Sequence, residues 1–375
     1  MIHHYDAIVL GLGGMGSATC DHLTRRGCRV LGLEQFPLVH DRGSSHGHTR
    51  IIREAYFEHP DYVPLVRRAF AHWYDLEQRL GRHLLTTSSC LNIGPTDGEL
   101  VEGVRASARE HGLAVEELTA SEICRRYPAF SLEDRYVGML EQNAGFLYVE
   151  AGVQAHIDSA LATGRANLRA EEPVLSWEVV GNGVSVRTGK GIYTADRLVI
   201  TAGAWATRLL ADIGVPLSVM RQTLLWFAPT RRDLFRRDKL PIYIMDTPTG
   251  HYYGLPAIDP FGHKVARHYG EDELQSPDQV DWQLHEADEQ PVRAFLERHL
   301  PSAAGPRTRG QVCMYTLTPD RHFVIDRHPR HPQVSFACGF SGHGYKFAPV
   351  VGEILADLAM TGKTSLPIEL FRVNR

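Results

Sequence analysis

Apolar residues run unbroken from Ala7 to Leu10, and the chain then passes through Gly11, Gly13 and Gly16. An unbroken apolar run is the pattern of a strand covered on both faces. Met15 to Arg26 has helical spacing, and Arg29 to Leu33 is a second short apolar run, ending in Glu34. Strand, glycine turn, helix and strand together predict a βαβ unit. Further helices are expected over Tyr62–Leu80, Glu99–His111, Ser121–Arg126, Ala151–Thr163 and Pro291–Leu300, with a last one from about Lys346 to Met360. Leu84–Ile93 reads as a strand, and "VLSWEVVGNGVSVRTGKGIYTADRLVITAGAW" reads as a β-meander closing on a buried strand, Arg197–Thr201. Leu217–Ala228, Ile242–Asp246, His251–Pro256 and Lys264–Tyr269 predict an antiparallel sheet of different character. Strands return through Cys313, Phe323 and Val334–Ala337, and the last of them runs into Gly339, Gly342 and Gly344. The stretch after Glu34 is polar and carries glycine and histidine; a long loop of this kind inside a domain tends to be functional.

Each glycine of the first unit has a separate task. Gly11 permits the tight turn, Gly13 lets a pyrophosphate approach the backbone, and Gly16 lets helix pack on strand. The phosphates would sit at the positive end of the helix. Glu34 is placed to accept hydrogen bonds from ribose hydroxyls and would repel a 2′-phosphate, which disfavours NADP. The pattern points to a dinucleotide and leaves NAD and FAD both open.

Composition narrows the classes. The chain has 375 residues, 43% hydrophobic and 22% charged, with a formal net charge of −4. That length favours two domains. The interspersed charges offer no nucleic-acid stripe, and no apolar run reaches the roughly 18 residues of a membrane span. Cys20, Cys28, Cys90, Cys124, Cys313 and Cys338 include no CxxC pair, so no metal site is expected and the thiols read as reduced. No signal-peptide pattern precedes the first strand, and a cytoplasmic protein is expected.

Five segments then carry a resemblance: "GSSHGHTRIIREAY", "YYGLPA", "GHKVARH", "GQVCMYTLTPDRHFVIDRHP" and "GFSGHGYKFAPVVGEI". In this order, and over essentially the whole chain, they resemble the monomeric sarcosine oxidase / N-methyltryptophan oxidase family, flavoenzymes with a fold similar to D-amino-acid oxidase. The resemblance implies a mixed α/β chain: a discontinuous Rossmann-like FAD-binding domain (1–85, 146–216 and 311–375) with an inserted antiparallel-sheet substrate domain (86–145 and 217–310). It implies FAD joined through its 8α-methyl group to the Cys313 sulfur. The alternative for a strand cysteine is simple packing, which is the reading for Cys28 and Cys338. Cations near Cys313, such as Lys346, would favour its thiolate.

The resemblance also implies the chemistry. A hydride equivalent leaves the carbon next to nitrogen of a secondary amino acid for flavin N5, and oxygen is reduced to hydrogen peroxide. By match, Arg53 and Lys346 clamp the substrate carboxylate, as a guanidinium fork suits. Lys264 lies over the flavin and promotes reaction with oxygen, with Arg50 close by. Tyr253, His268 and Tyr315 line the substrate cavity, and His46 lies near the flavin. Gly342 and Gly344 precede a helix whose positive end faces the flavin. If "TRIIRE" is helical, Arg50 and Arg53 share one side. The chain departs from the family pattern at His48, where aspartate is common, at Arg267 and in "MDTPTG"; these bear on which side chain the substrate carries. The expected partners are a small secondary amino acid and O2, and the chain is expected to be a monomer. Alternatives are a same-fold dehydrogenase passing electrons to a protein or quinone, a non-catalytic flavin-binding subunit, an NAD dehydrogenase, or an oxidase of N-methyltryptophan, pipecolate or proline.

Overall fold

In the computed structural model, which describes residues 4–270 and 273–375, the opening pattern becomes β1 (His4–Leu10), α1 (Gly14–Arg25) and β2 (Val30–Leu33). β1 pairs in parallel with β2 from Ala7↔Val30 to Leu10↔Leu33, and on its other side with Ile192–Ile200. The sheet runs in the order Val324–His328, His331–Cys338, Ile192–Ile200, β1, β2, Ala166–Arg169. Only the hairpin at the first edge is antiparallel within that order. α1 packs against Val149–Ala162 and Ala348–Thr361 on one face. The meander Val174–Val180 and Gly183–Thr188 continues from Ile192–Ile200 toward the other. With both faces covered, Ile8 and Val9 have no exposed surface, which is why the run carries no polar alternation. Four strands of this sheet are followed directly by Gly11, Glu34, Thr201 and Gly339, and all four residues line one cavity. Ligands of open parallel sheets bind at this carboxyl edge.

The second sheet runs Glu273–Leu274, Ser218–Phe227, His263–Arg267, Gly250–Leu255, Ile242–Thr247, Leu85–Pro95, Tyr136–Tyr148, Thr49–Ile52. Arg307–Leu317 pairs with Ser218–Phe227, and Val115–Thr119 with Tyr136–Tyr148. Tyr62–Leu80 and Glu99–His111 are helices with the expected bounds. The stretch after Glu34, expected as loop, contains the strand Thr49–Ile52, which pairs with Gly145–Tyr148. Arg50 therefore lies on a strand and Arg53 just beyond its end, so the helical arrangement of the two is corrected; they reach one cavity from extended chain. Both Thr49–Ile52 and Arg307–Leu317 join the second sheet, although they fall mainly in segments expected with the nucleotide-binding part.

Candidate active site

The glycine turn shows which space belongs to the protein and which to a ligand. A Cβ on Gly11 would stand 2.7 Å from the Thr201 carbonyl, and one on Gly16 would run into the Gly11 carbonyl. Both positions are glycine because neighbouring chain fills the space. Gly13 differs: nothing lies nearer its absent Cβ than Ser45 Oγ at 3.6 Å, and the residue lines the cavity. A side chain there would occupy ligand space, as a pyrophosphate cradle requires. Across the turn, Glu34 is 5% exposed and accepts from the N–H groups of Leu12 (2.9 Å) and Phe36 (3.1 Å). Each oxygen retains a lone pair for a ribose hydroxyl.

The cavity holds about 550 Å³ and continues from this turn to Arg50, Arg53, Tyr253, His268, Tyr315 and Lys346. On the strand Arg307–Leu317, Cys313 and Tyr315 are two apart and so face the same side. Arg50 Nη2 donates to Cys313 Sγ at 3.6 Å. Burial alone would raise the Cys313 thiol, but His46, Arg50 and Lys264 outweigh it and hold the thiol down at about 7. The cations among these neighbours are Arg50 and Lys264, in place of the Lys346 expected from the sequence. Cys20, Cys90 and Cys338, by contrast, are pushed up to about 12 or above by burial. His46 is 2% exposed; one ring nitrogen faces Cys313 and the other has no hydrogen-bond partner. An orphaned buried nitrogen fits a site completed by a polar group.

Lys264 Nζ donates to the carbonyls of Gly47 (2.7 Å) and Thr49 (2.9 Å) and stands 5.2 Å over the Trp226 ring. Burial, then Arg50, pushes its pKa well below that of an ordinary lysine. Arg50 Nη1 donates to the same Thr49 carbonyl at 2.9 Å, so the two cations are neighbours, as expected.

At the far end, Arg53 is 2% exposed and lies 4.2 Å over the Tyr56 ring. Its Nη2 donates to both oxygens of Glu58, at 2.9 and 2.7 Å, and Nη1 to the Ala55 carbonyl. Glu58 was not foreseen. Burial would raise its carboxyl, but Arg53, His343 and Lys346 hold it at about 2. A carboxylate of the chain thus already sits on the fork expected to meet a substrate carboxylate. Lys346 Nζ donates to the His343 carbonyl (2.6 Å) and the Tyr56 hydroxyl (3.2 Å). Glu141, also unforeseen, accepts from the N–H groups of Glu54 (2.6 Å) and Ala55 (3.0 Å), and so pins the chain just after Arg53. His268 Nδ1 lies 3.3 Å from the Tyr315 hydroxyl, and Tyr253 meets His268 edge-on. Burial pushes His268 down to about 3, so the ring is neutral at physiological pH. Gly342 has φ +84°, and a Cβ there would run into the Tyr315 ring; one on Gly344 would stand 2.5 Å from Phe340. Both glycines let the turn before the helix Ala348–Thr361 close over the cavity. His48, one departure from the family pattern, pairs with Asp259 at 2.8 Å.

A pH effect follows from Lys346. Burial, then Arg53, pushes it down to about 7. Its charge is present below that pH and lost above it, so affinity for a carboxylate should be full in mild acid and fall as pH rises, by at most about tenfold per unit. Titration of the holoenzyme with acetate, followed by its visible spectrum, checks this; Lys346→Met should flatten the dependence.

A phosphate-cradling glycine turn at the edge of a parallel sheet opens into a cavity lined by Arg53, Lys346 and Arg50, and Arg50 reaches a thiolate-favouring cysteine behind it; the arrangement defines a dinucleotide-dependent oxidoreductase. Residues 6–358 match the family model described as FAD dependent oxidoreductase. The chain is 46% identical to monomeric sarcosine oxidase of Streptomyces avermitilis, over 99% of this chain and 97% of that one. It is 34% identical to N-methyl-L-tryptophan oxidase of Salmonella typhi, over 99% of each. Among solved structures, NikD, an unusual amino acid oxidase essential for nikkomycin biosynthesis, superposes with a TM-score of 0.88 at 26% identity, covering 99% of this chain and 97% of that chain. The chain belongs to the sarcosine oxidase / N-methyltryptophan oxidase group of the FAD-dependent oxidoreductases, and it is an enzyme of that kind.

Proposed function

We propose that the protein is an oxidase of secondary, N-methyl amino acids such as sarcosine. It removes a hydride equivalent from the carbon next to nitrogen, releases an imine that hydrolyses to amino acid and formaldehyde, and reduces O2 to H2O2. The observation that carries this reading is the pair of buried cations, Arg53 and Lys346, in the same cavity as the Gly13 cradle and the Tyr315 end of the Cys313 strand. FAD, when bound, supplies the two-electron acceptor. Gly11, Gly13, Gly16 and Glu34 would hold its adenosine diphosphate half, His46, Gly342 and Gly344 its other half, and Cys313 Sγ its covalent link. Arg53 and Lys346 bind the substrate carboxylate. Neutral His268, with Tyr315 and Tyr253, orients the amine without presenting a like charge to it. Lys264 and Arg50 stabilise negative charge where oxygen reacts. In this reading 1–85, 146–216 and 311–375 carry the flavin, and 86–145 and 217–310 supply the substrate side. The six unpaired thiols suit a cytoplasmic enzyme, and the name of the relatives suits a monomer.

Sarcosine should bleach the anaerobic holoenzyme, whereas sarcosinamide should do so at least tenfold more slowly at equal concentration. Equal rates would remove the carboxylate clamp from the account. Acid precipitation should leave the yellow colour in the pellet, and Cys313→Ser should release it to the supernatant. Because the thiol is held down at about 7, its thiolate is lost as pH falls through that region. Covalent incorporation of FAD into apoprotein should therefore speed up as pH rises through 7, and a pH-independent rate would contradict the thiolate argument.

A further inference from the structure

Gly47, His48 and Thr49 form a turn that few sequences adopt. Thr49 N–H donates to the Gly47 carbonyl at 2.8 Å, closing a γ-turn on His48. His48 has φ +70°, beside +88° at Gly47. A γ-turn with positive φ is rare and strained, and a left-handed non-glycine residue persists where its surroundings over-determine it. Here Glu150, in the first turn of the helix Val149–Ala162, does much of that work. Its Oε1 accepts from the N–H groups of Gly47 (2.8 Å) and His48 (3.1 Å), and its Oε2 from His48 (3.2 Å). Val149 N–H donates to the His48 carbonyl at 3.0 Å, and the His48 ring is tied to Asp259.

The far side of the turn meets the cations. The Gly47 and Thr49 carbonyls accept from Lys264 Nζ, and the Thr49 carbonyl also accepts from Arg50, which reaches Cys313. A carboxylate is thus held by the N–H groups of Gly47 and His48, and the Gly47 and Thr49 carbonyls of the same turn face the two cations. Peptide groups bonded on both sides polarise one another.

We infer that Glu150 is a positioning residue for Lys264 and Arg50: it holds the His48 γ-turn in its strained form and so aims the carbonyls that fix both cations. This rests on the oxidase reading and extends it to a residue that need touch neither substrate nor flavin. The charged and titratable groups that act on Lys264 are Arg50, Glu150, Cys313 and Asp259. Loss of the Glu150 charge disfavours the protonated lysine.

Glu150→Gln in the holoenzyme provides the test. The segment carrying Gly47 and His48 should exchange its amide hydrogens at least tenfold faster. Enzyme reduced with dithionite should then reoxidise in air at least tenfold more slowly than the native form. The fall of that rate with rising pH should move to lower pH. Anaerobic reduction by sarcosine should stay within about threefold. Chemical reduction makes the oxygen step independent of the amino acid, so if no secondary amino acid reduces the flavin, the oxidase reading fails while this test still decides on Glu150. Glu150→Asp keeps the charge on a shorter arm and should give an intermediate slowing; it decides by the same criteria if the glutamine variant does not fold. Native reoxidation at every pH, or a parallel loss of both half-reactions, would overturn the inference and leave Glu150 as a structural cap.

Discussion

Lys264→Met should slow reoxidation of the reduced enzyme by oxygen by about 10²–10³-fold, while anaerobic reduction by substrate should stay within a few-fold. The two halves of the reaction make different electrostatic demands. In the proposed reading, removal of a hydride equivalent happens on a substrate held at its carboxylate by Arg53 and Lys346. The oxygen step creates a new anion, and a preorganised cation in a water-poor site stabilises it without reorganising. Lys264 is 3% exposed and fixed by two carbonyls, so its position is set before oxygen arrives. Methionine keeps the length and the apolar stem and removes the charge. The sign of the pH dependence follows from burial and Arg50, which lower the lysine. The charge is present below the lowered pKa and lost above it, so native reoxidation should decline with rising pH well before an ordinary lysine would titrate. The methionine variant should lack that decline. Stopped-flow measurement separates the halves. Collapse of reduction with reoxidation intact would put Lys264 in substrate binding and make Arg50 the first candidate for the oxygen site.

Arg53→Ala should weaken binding of substrate and of inert carboxylates by about one to two orders of magnitude, the equivalent of about 1.5–3 kcal/mol for a charge-assisted hydrogen bond. Arg53→Lys should recover little of it, because a lysine cannot present two parallel donors. Glu58 sharpens the prediction. Its carboxylate takes Arg53 Nη2 in this structure, so a substrate carboxylate has to compete for the same donor. Glu58→Gln removes the competing charge and should move carboxylate affinity in the opposite direction from Arg53→Ala. A thermal scan should also show Arg53→Ala as the less stable of the two, since it leaves a buried carboxylate unpaired. If both variants weaken binding equally, Glu58 holds the clamp open for substrate instead of occupying it.

The first βαβ unit was legible because both of its requirements are local. A strand covered on two faces must be continuously apolar, and Gly11 and Gly16 have no room for a side chain. Tyr62–Leu80 was equally plain, since one buried stripe recurs at helical spacing and the helix stops at Gly81, whose φ is +62°. Thr49–Ile52 was not legible. It is four residues long, and its partner lies about 95 residues away, at Gly145–Tyr148. Tyr136–Tyr148 was hidden by Glu141, Gln142 and Asn143, which interrupt its apolar run; Glu141 is there to bind the backbone after Arg53. The first βαβ unit supplied Gly13 and Glu34 as candidates and the five motifs supplied Arg50, Arg53, Tyr253, His268, Tyr315 and Lys346, and all of these line the one cavity. The acids that manage those cations escaped notice. Glu58 and Glu150 each look like an ordinary surface carboxylate in sequence. Their roles appear only when the loop carrying Glu58 and the helix carrying Glu150 are placed beside Arg53 and Lys264. An acid five residues beyond Arg53 in the same loop was the one available signal for Glu58, and nothing local distinguishes Glu150.

The measurement that tests the account most directly is oxygen uptake by the purified yellow enzyme on addition of sarcosine, with hydrogen peroxide and formaldehyde assayed in the same vessel. The account predicts prompt uptake, with peroxide and formaldehyde formed in equal amounts, one of each per oxygen consumed. Flavin that bleaches with sarcosine but consumes no oxygen until a quinone or dye is added would make the protein a dehydrogenase. Flavin that no secondary amino acid bleaches would contradict the substrate assignment altogether.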